Sequence, residues 1–271
     1  MNLAYLGPLG TFSEQAALEA EGAALLPFGS IPAAVRAAED GAVDAAVIPI
    51  ENSLEGAVTQ STDILIHQTE LRIRKEIVLR IHHCLLTQPG VRPRDVAVVY
   101  SHPQALAQCR TYVARNLPGA EPVASLSTAA AVTDMQNSDR PAAAISSARA
   151  AELFDAAVAD RNIEDVRSNK TRFVMLAPQD APRSGDDKTS ICFDFSEDAA
   201  GILHGALGEL AARDINMTKI ESRPDRRSLG RYIFLIDVEG HREDAIVSAA
   251  LEGIRARATM FKVLGSYPRT R

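Results

Sequence analysis

Through the first two thirds of the chain, short apolar runs alternate with longer segments whose apolar residues recur at helical spacing. Asn2–Leu6 and Ala45–Pro49 are apolar at nearly every position, the pattern of strands buried on both faces of a parallel sheet. Between them the spacing predicts two helices. One runs from Ser13 to Glu21 with Ser13 as its N-cap, and the other from Ile31 to Asp40, closed by Gly41. Thr59–His67 reads as a helix and Ile73–Leu86 as long extended runs. Val96–Tyr100 reads as a strand followed by a helix through Arg115. Ser127–Met135, Ala142–Ile145 and Ser147–Phe154 continue as helix, strand and helix. Repeated units of this kind predict an α/β region built on parallel, doubly wound sheet.

The pattern changes after the apolar run Val174–Leu176. Ala177–Lys188 carries two prolines, Gly185 and several charges, and reads as a linker. Beyond it, strands are predicted at Thr189–Phe195, Ile215–Ile220, Arg231–Glu239 and Met260–Leu264. Helices are predicted at Ala199–Arg213 and Arg242–Arg257. The order βαββαβ is the ferredoxin-like split arrangement.

Composition narrows the picture. A chain of 271 residues suffices for one large or two ordinary domains. Its net charge of -6 argues against general affinity for nucleic acid or an anionic membrane. An anionic ligand must then be held by a local cluster of donors. Cys84, Cys109 and Cys192 are odd in number and form no CxxC, which speaks against a disulfide scaffold and a thiolate metal site. The N-terminus lacks the basic and long apolar regions of a signal peptide, and no apolar run approaches bilayer length. A cytoplasmic protein is expected.

Candidate chemistry falls just after strands, at Gly10–Ser13, Glu51–Glu55 and Ser101–Gln104. In open α/β sheets that is where ligands bind. Thr11 and Ser13 stand where a helix begins, a place that receives carboxylate or phosphate, or is simply capped. Asn52, Ser53 and Ser101 have the same two readings, and Ser101 ahead of Pro103 is expected to cap its helix. His102 is a candidate acid or base, or a structural donor. Glu51 and Glu55 have no cationic neighbour in sequence and rank below the hydroxyls. Adjacent extended residues face opposite sides, so His82 and His83 do not share a metal ion. No phosphate-binding or dinucleotide loop is present, and neither metal nor cofactor is expected. At the mouth of the strand led by Val174, Thr171 and Phe173 point one way and Arg172 the other.

Four segments, Gly7–Glu14, Ile48–Ser53, Ser101–Leu106 and Asn169–Phe173, resemble prephenate dehydratases in content and order. The C-terminal region resembles the ACT regulatory domain of that family, and Glu221–Pro224 matches its phenylalanine-binding motif. The resemblance covers essentially the whole chain. It implies a catalytic domain over residues 1–178, a linker over 179–188 and an ACT domain over 189–271. The catalytic region is expected to form two α/β lobes like those of a solute-binding protein, with the active site in the cleft. The implied reaction removes carbon dioxide and the ring hydroxyl from prephenate to give phenylpyruvate, without a cofactor, in phenylalanine biosynthesis.

By resemblance, Thr171 is the catalytic residue. Thr11, Ser13, Asn52, Ser53, Ser101, His102, Gln104, Arg172 and Phe173 are assigned to the substrate site, with Phe173 a packing residue. The implied effector is L-phenylalanine, bound at a dimer interface. Gly205-Ala206-Leu207 reads as the family's Gly-Ala-Leu motif, but spacing to Ile215-Asn216 places that motif at Gly201-Ile202-Leu203, ahead of His204. Asn216, Glu221, Ser222, Arg223 and Pro224 complete the expected effector set. A homodimer or homotetramer is expected, and a monofunctional enzyme with no chorismate mutase helix ahead of Met1. Two other readings stay open: an arogenate dehydratase, and a non-catalytic effector-sensing module that would not require Thr171.

Overall fold

The computed structural model describes residues 1–20, 22–196, 199–225 and 231–270. Glu21, the expected end of the first helix, and Arg271, the expected end of the last domain, lie outside them. The chain divides into two compact units: Met1–Val58 with Val78–Phe173, and Thr59–Ile77 with Val174–Arg271.

The first unit opens with β1 (Asn2–Leu6), α1 (Phe12–Leu18), β2 (Ala24–Phe28), α2 (Ile31–Glu39), β3 (Ala45–Asn52) and β4 (Gly56–Ala57). α3 (Thr59–His67) and β5 (Arg72–Arg80) up to Ile77 belong to the second unit, and the first resumes with β6 (Cys84–Thr87), β7 (Val98–Ser101), α4 (Pro103–Gln108), α5 (Arg110–Asn116) and β8 (Glu121–Ala124). Next are α6 (Ala130–Gln136), β9 (Ala142–Ser146), α7 (Ala148–Leu153), β10 (Ala157–Arg161) and β11 (Lys170–Ala177). One sheet has the order β2-β1-β3-β11-β5, with β4 on β3, and a second the order β10-β6-β9-β7-β8. Each is the centre of one α/β lobe.

Both sheets are mixed where a parallel, doubly wound region was expected, and in the first β4 runs antiparallel to β3. β1 is parallel to β2 and β3, and β7 to β8 and β9, but β6 runs antiparallel to both β9 and β10. Only residues 81–83 separate β5 from β6. With no helical crossover on the way, β6 is not bound to the parallel geometry of a βαβ unit. Four strands were not predicted from the sequence: β2, the two-residue β4, β8 and β10. Of these, β2, β8 and β10 are the ends of their sheets, and two of them contain proline, Pro27 and Pro122. Edge strands bury little and tolerate proline, so their patterns are weak.

Central β9 shows the opposite case. Alternate residues send Ala142 and Ala144 to one core with Val132 and Met135, and Ala143 and Ile145 to the other with Ala105 and Cys109. Burial on both faces is why this strand reads as an unbroken apolar run.

The second unit contains β12 (Asp187–Asp194), α8 (Ile202–Ala211), β13 (Met217–Pro224), β14 (Tyr232–Glu239), α9 (Ala245–Arg255) and β15 (Met260–Pro268). The sheet order is β13-β14-β12-β15, with every neighbouring pair antiparallel. This is the expected βαββαβ arrangement. Ile191, Phe193, Ile236 and Val238 face Ala206, Leu210, Val247, Ala250 and Ile254 of the two helices. The expected linker is pinned in place: Ala181 N donates to Ser266 O, and Ser184 Oγ donates to Asp187. β15 continues past Gly265, whose φ of +151° and missing side chain let the Ile73 backbone pass against it.

Candidate active site

The C-terminal ends of several strands in the first unit surround a cavity of about 950 Å³. Its apolar wall includes Phe12, Phe28, Ile81, Leu126 and Phe154. Its polar lining includes Thr11, Ser13, Asn52, His83, His102, Gln104, Gln108, Ser127, Thr128, Asn169 and Thr171. No Asp, Glu, Lys or Arg is among the described lining residues.

Thr171 enters the cavity from the start of β11. Its Oγ1 accepts a hydrogen bond from Asn52 Nδ2 at 2.8 Å, and Asn52 also donates to Asn169 Oδ1 at 2.8 Å. Asn52 is held by its turn, because its Oδ1 accepts from the backbone N–H groups of Leu54 and Glu55 at 3.0 and 3.2 Å. With its lone pair engaged by Asn52, the Thr171 hydroxyl keeps its hydrogen for another acceptor. Ser53 locks the same corner from behind: its N–H donates to Lys170 O at 2.8 Å and its Oγ accepts from Lys170 N at 2.9 Å.

The network continues inward. Asn169 Nδ2 donates to Gln108 Oε1 at 2.9 Å, and Gln108 Nε2 donates to Glu55 at 3.0 Å. His83 Nε2 lies 3.0 Å from the same Gln108 Oε1. Behind it, buried Glu164 accepts from the His83 backbone N–H at 2.9 Å and contacts His82 Nδ1 at 2.8 Å. Burial pushes His83 below the ordinary imidazole range, against the opposing influence of its Gln108 bond and the Glu164 charge. Burial alone would raise the Glu164 pKa, but hydrogen bonds from the His83 backbone and His82 outweigh it and leave the carboxyl low.

Two capping expectations are corrected. Thr11, not Ser13, caps α1: its Oγ1 accepts from Glu14 N, while its own hydrogen is within reach of Pro8 O and Leu6 O. The helix starts one residue earlier than its apolar pattern, so Ser13 falls inside it and lines the cavity with no side-chain hydrogen bond to the described residues. At α4 the cap is His102, whose Nδ1 accepts from Gln104 N. Ser101 remains in β7, fully buried, and donates to Ile145 O at 2.6 Å. One more strand residue before the turn moves the hydroxyl away from the helix end.

The remaining assigned residues divide. Gln104 and His102 line the cavity, whereas Ser53, Ser101, Arg172 and Phe173 do not. Arg172 turns to the other side of β11, with its Nη1 at 3.8 Å from Glu51, so the carboxylate without a cation in sequence has one in space. Phe173 is a core side chain at 2% exposure. His83, Gln108 and Asn169 were missed as site residues. Gln108 lies one helical turn beyond Gln104, a spacing that puts both on one face. His83 carried no signal beyond its failure as a metal ligand.

In the second unit, Gly201 is the left-handed N-cap of α8 with φ +83°, and Ile202 and Leu203 pack on the domain core. Asn216 donates to Glu239 at 3.1 Å, and Glu221 pairs with Lys219 at 3.3 Å on edge strand β13. Arg223 is engaged by Asp63 at 3.1 Å and by Thr59 O at 3.2 Å, while Ser222 and Pro224 are exposed. A cavity of about 540 Å³ in this unit is lined by Asn216 but by none of the other expected effector residues.

Residues 3–181 match the prephenate dehydratase family and residues 190–256 the ACT domain. The chain is 41% identical over 271 residues to a bifunctional chorismate mutase/prephenate dehydratase of Neisseria gonorrhoeae, covering 99% of this chain and 74% of that one. A prephenate dehydratase from Arthrobacter aurescens, solved in complex with L-Phe, superposes with a TM-score of 0.92 at 36% identity, covering 99% of this chain and 90% of the other. GqqA, described as a novel type of quorum quenching acylase, superposes at 0.89 with 33% identity, covering 100% and 98%.

Proposed function

Since the chain belongs to the prephenate dehydratase family, we propose that Thr171 protonates the departing ring hydroxyl of prephenate in the cavity of the first unit. The reaction balances simply. Prephenate's ring carboxylate leaves as carbon dioxide, its bonding pair aromatises the ring, and the hydroxyl leaves with one added proton as water. Phenylpyruvate remains. The hydrogen bond from Asn52 to Thr171 Oγ1 is the observation that carries this reading. A threonine hydroxyl is a poor acid, and a fixed amide donor aimed at its oxygen stabilises the alkoxide that develops as the proton departs. Solvent then restores the proton.

The cavity recognises carboxylates without a cation. Ser13, Gln104 and Thr128 present polar groups with no side-chain partner among the described residues, near the first turns of α1, α4 and α6. Backbone N–H groups at helix starts favour anions. The absence of a carboxylate among the described lining residues favours prephenate over arogenate, whose ammonium group would find no counter-charge there. An acylase reading needs a nucleophile activated by a base. Thr171 has an amide beside it, and that favours the dehydratase.

Residues 1–178 act as the catalytic domain, 179–188 join it to the ACT domain at 189–271, and L-phenylalanine regulates turnover through Gly201–Leu203, Asn216 and Glu221–Pro224. The enzyme works as a cytoplasmic homodimer or homotetramer. No described helix is long and apolar enough to cross a membrane. The test is phenylpyruvate formation from prephenate, with Thr171→Ala as the control and phenylalanine added to a parallel reaction. Turnover is expected in the wild type, a loss of about 100-fold or more in the variant, and inhibition by phenylalanine. Turnover of neither prephenate nor arogenate by the wild type would sink the enzyme reading. An undiminished variant would sink the role of Thr171.

A further inference from the structure

We infer that His83, held as its Nε2–H tautomer, is a positioning residue that locks the amide chain behind Thr171. This rests on the proposed dehydration at Thr171. The tautomer follows from a chain of assignments that begins at the backbone. Leu54 and Glu55 N–H groups can only donate, so the Asn52 atom they meet is its oxygen. The Asn52 amide nitrogen therefore faces Thr171 and Asn169, and the Asn169 atom it meets is an oxygen. The other end of Asn169 is then nitrogen and donates to Gln108 Oε1. Gln108 Nε2 is directed to the Glu55 carboxylate, an acceptor, which agrees. His83 Nε2, 3.0 Å from Gln108 Oε1, must carry the proton.

That leaves Nδ1 with a bare lone pair, and this atom is buried with no hydrogen-bond partner among the described residues. A protonated Nδ1 would be a buried donor with nowhere to donate, which costs more than an unpaired acceptor of a neutral ring. The ring itself is clamped. Glu164 holds its backbone, and the Phe12 ring meets it edge-on at 5.6 Å between centroids and 84°. His83 thus supplies one of two donors to Gln108 Oε1, the acceptor that also orients Asn169 and through it Asn52. Removing that donor leaves the Gln108 amide held only by Asn169 and Glu55 and loosens the amide that stabilises the Thr171 alkoxide. A histidine that merely filled the core would affect folding alone.

The experiment compares kcat and KM of the full chain in four forms: wild type, His83→Leu, His83→Gln and the double variant His83→Leu/Thr171→Ala. Thermal melts confirm folding. His83→Leu is expected to lower kcat about tenfold or more with KM within about twofold, the pattern of a lost transition-state interaction. Gln places its side-chain nitrogen near the imidazole Nε2 and should recover most of that loss. The double variant should be no slower than Thr171→Ala alone, because His83 acts through Thr171. Long-range proton–nitrogen spectroscopy on the wild type should show a neutral ring protonated at Nε2. A His83→Leu kcat within about twofold of wild type, a Gln variant as poor as Leu, or a ring protonated at Nδ1 would each overturn the inference. If the Leu variant does not fold, His83→Asn takes its place, with its amide nitrogen at the Nδ1 end and out of reach of Gln108. If the wild type turns over neither prephenate nor arogenate, the dehydratase reading fails, while the spectrum still decides the tautomer.

Discussion

Replacing Asn52 by aspartate preserves the side chain's shape and reverses the character of one end. The oxygen that accepts from Leu54 and Glu55 N–H remains, so the turn after β3 keeps its two hydrogen bonds. The amide nitrogen, 2.8 Å from Thr171 Oγ1, becomes a carboxylate oxygen. Losing one donor to a developing oxyanion costs about 3–4 kcal/mol of transition-state stabilisation. The new charge adds repulsion. Two unit charges 2.8 Å apart interact by about 6 kcal/mol at an effective dielectric of about 20. With about a third of a charge on the threonine oxygen at the transition state, that is about 2 kcal/mol. Together these predict a kcat lower by about 10⁴-fold. The melting temperature should fall by only a few degrees, mainly through the lost bond to Asn169. The assay is phenylpyruvate formation across pH. The variant's kcat should rise as the pH is lowered, because a protonated carboxyl donates again. An Asn52→Asp kcat within tenfold of wild type at neutral pH would refute the reasoning.

Gly10→Ala should destabilise the first unit by about 1–3 kcal/mol, because Gly10 has φ +85° and an added Cβ would stand 3.2 Å from the Ala150 Cβ and 3.3 Å from that of Ala129. An unchanged melting temperature would count against it. Stability should also fall on acidification. His83 has a folded pKa below its unfolded value of about 6.5, so the unfolded chain takes up its proton first and stability declines as pH drops below that value. Glu164, also low in the fold, adds a further loss as pH falls below about 4.5. Urea titrations at a series of pH values read this directly; a flat profile between about pH 7 and 5 would contradict the His83 assignment, and no further loss between about pH 4.5 and 3 would contradict that of Glu164.

The parts of the site that are local in sequence were legible there. Thr171 at the mouth of a strand, Asn52 at the end of β3 and Gln104 at the start of α4 each announce themselves by a polar residue next to an apolar run or a turn. Ser13 and Ser101 show the limit of such reading. A shift of one residue at a helix start decides which hydroxyl caps and which faces elsewhere, and apolar spacing does not resolve one residue. Arg172 shows the gain from a simple periodicity, since alternation along a strand already turned it away from Thr171. His83 and Gln108 were not legible as site residues, because their importance lies in whom they meet.

By itself the sequence determined the alternation of strands and helices, the βαββαβ tail and the positions of the polar turns, because periodicity and turn chemistry act over a few residues. Tertiary structure alone decided which turns come together. Asn52 and Thr171 are 119 positions apart, and only the sheet order that places β11 beside β3 brings an amide onto that hydroxyl. The same holds for the antiparallel entry of β6 and for the edge strands β2, β8 and β10. Those strands are held by hydrogen bonds to a neighbour, and nothing in their own short runs records which strand that neighbour is.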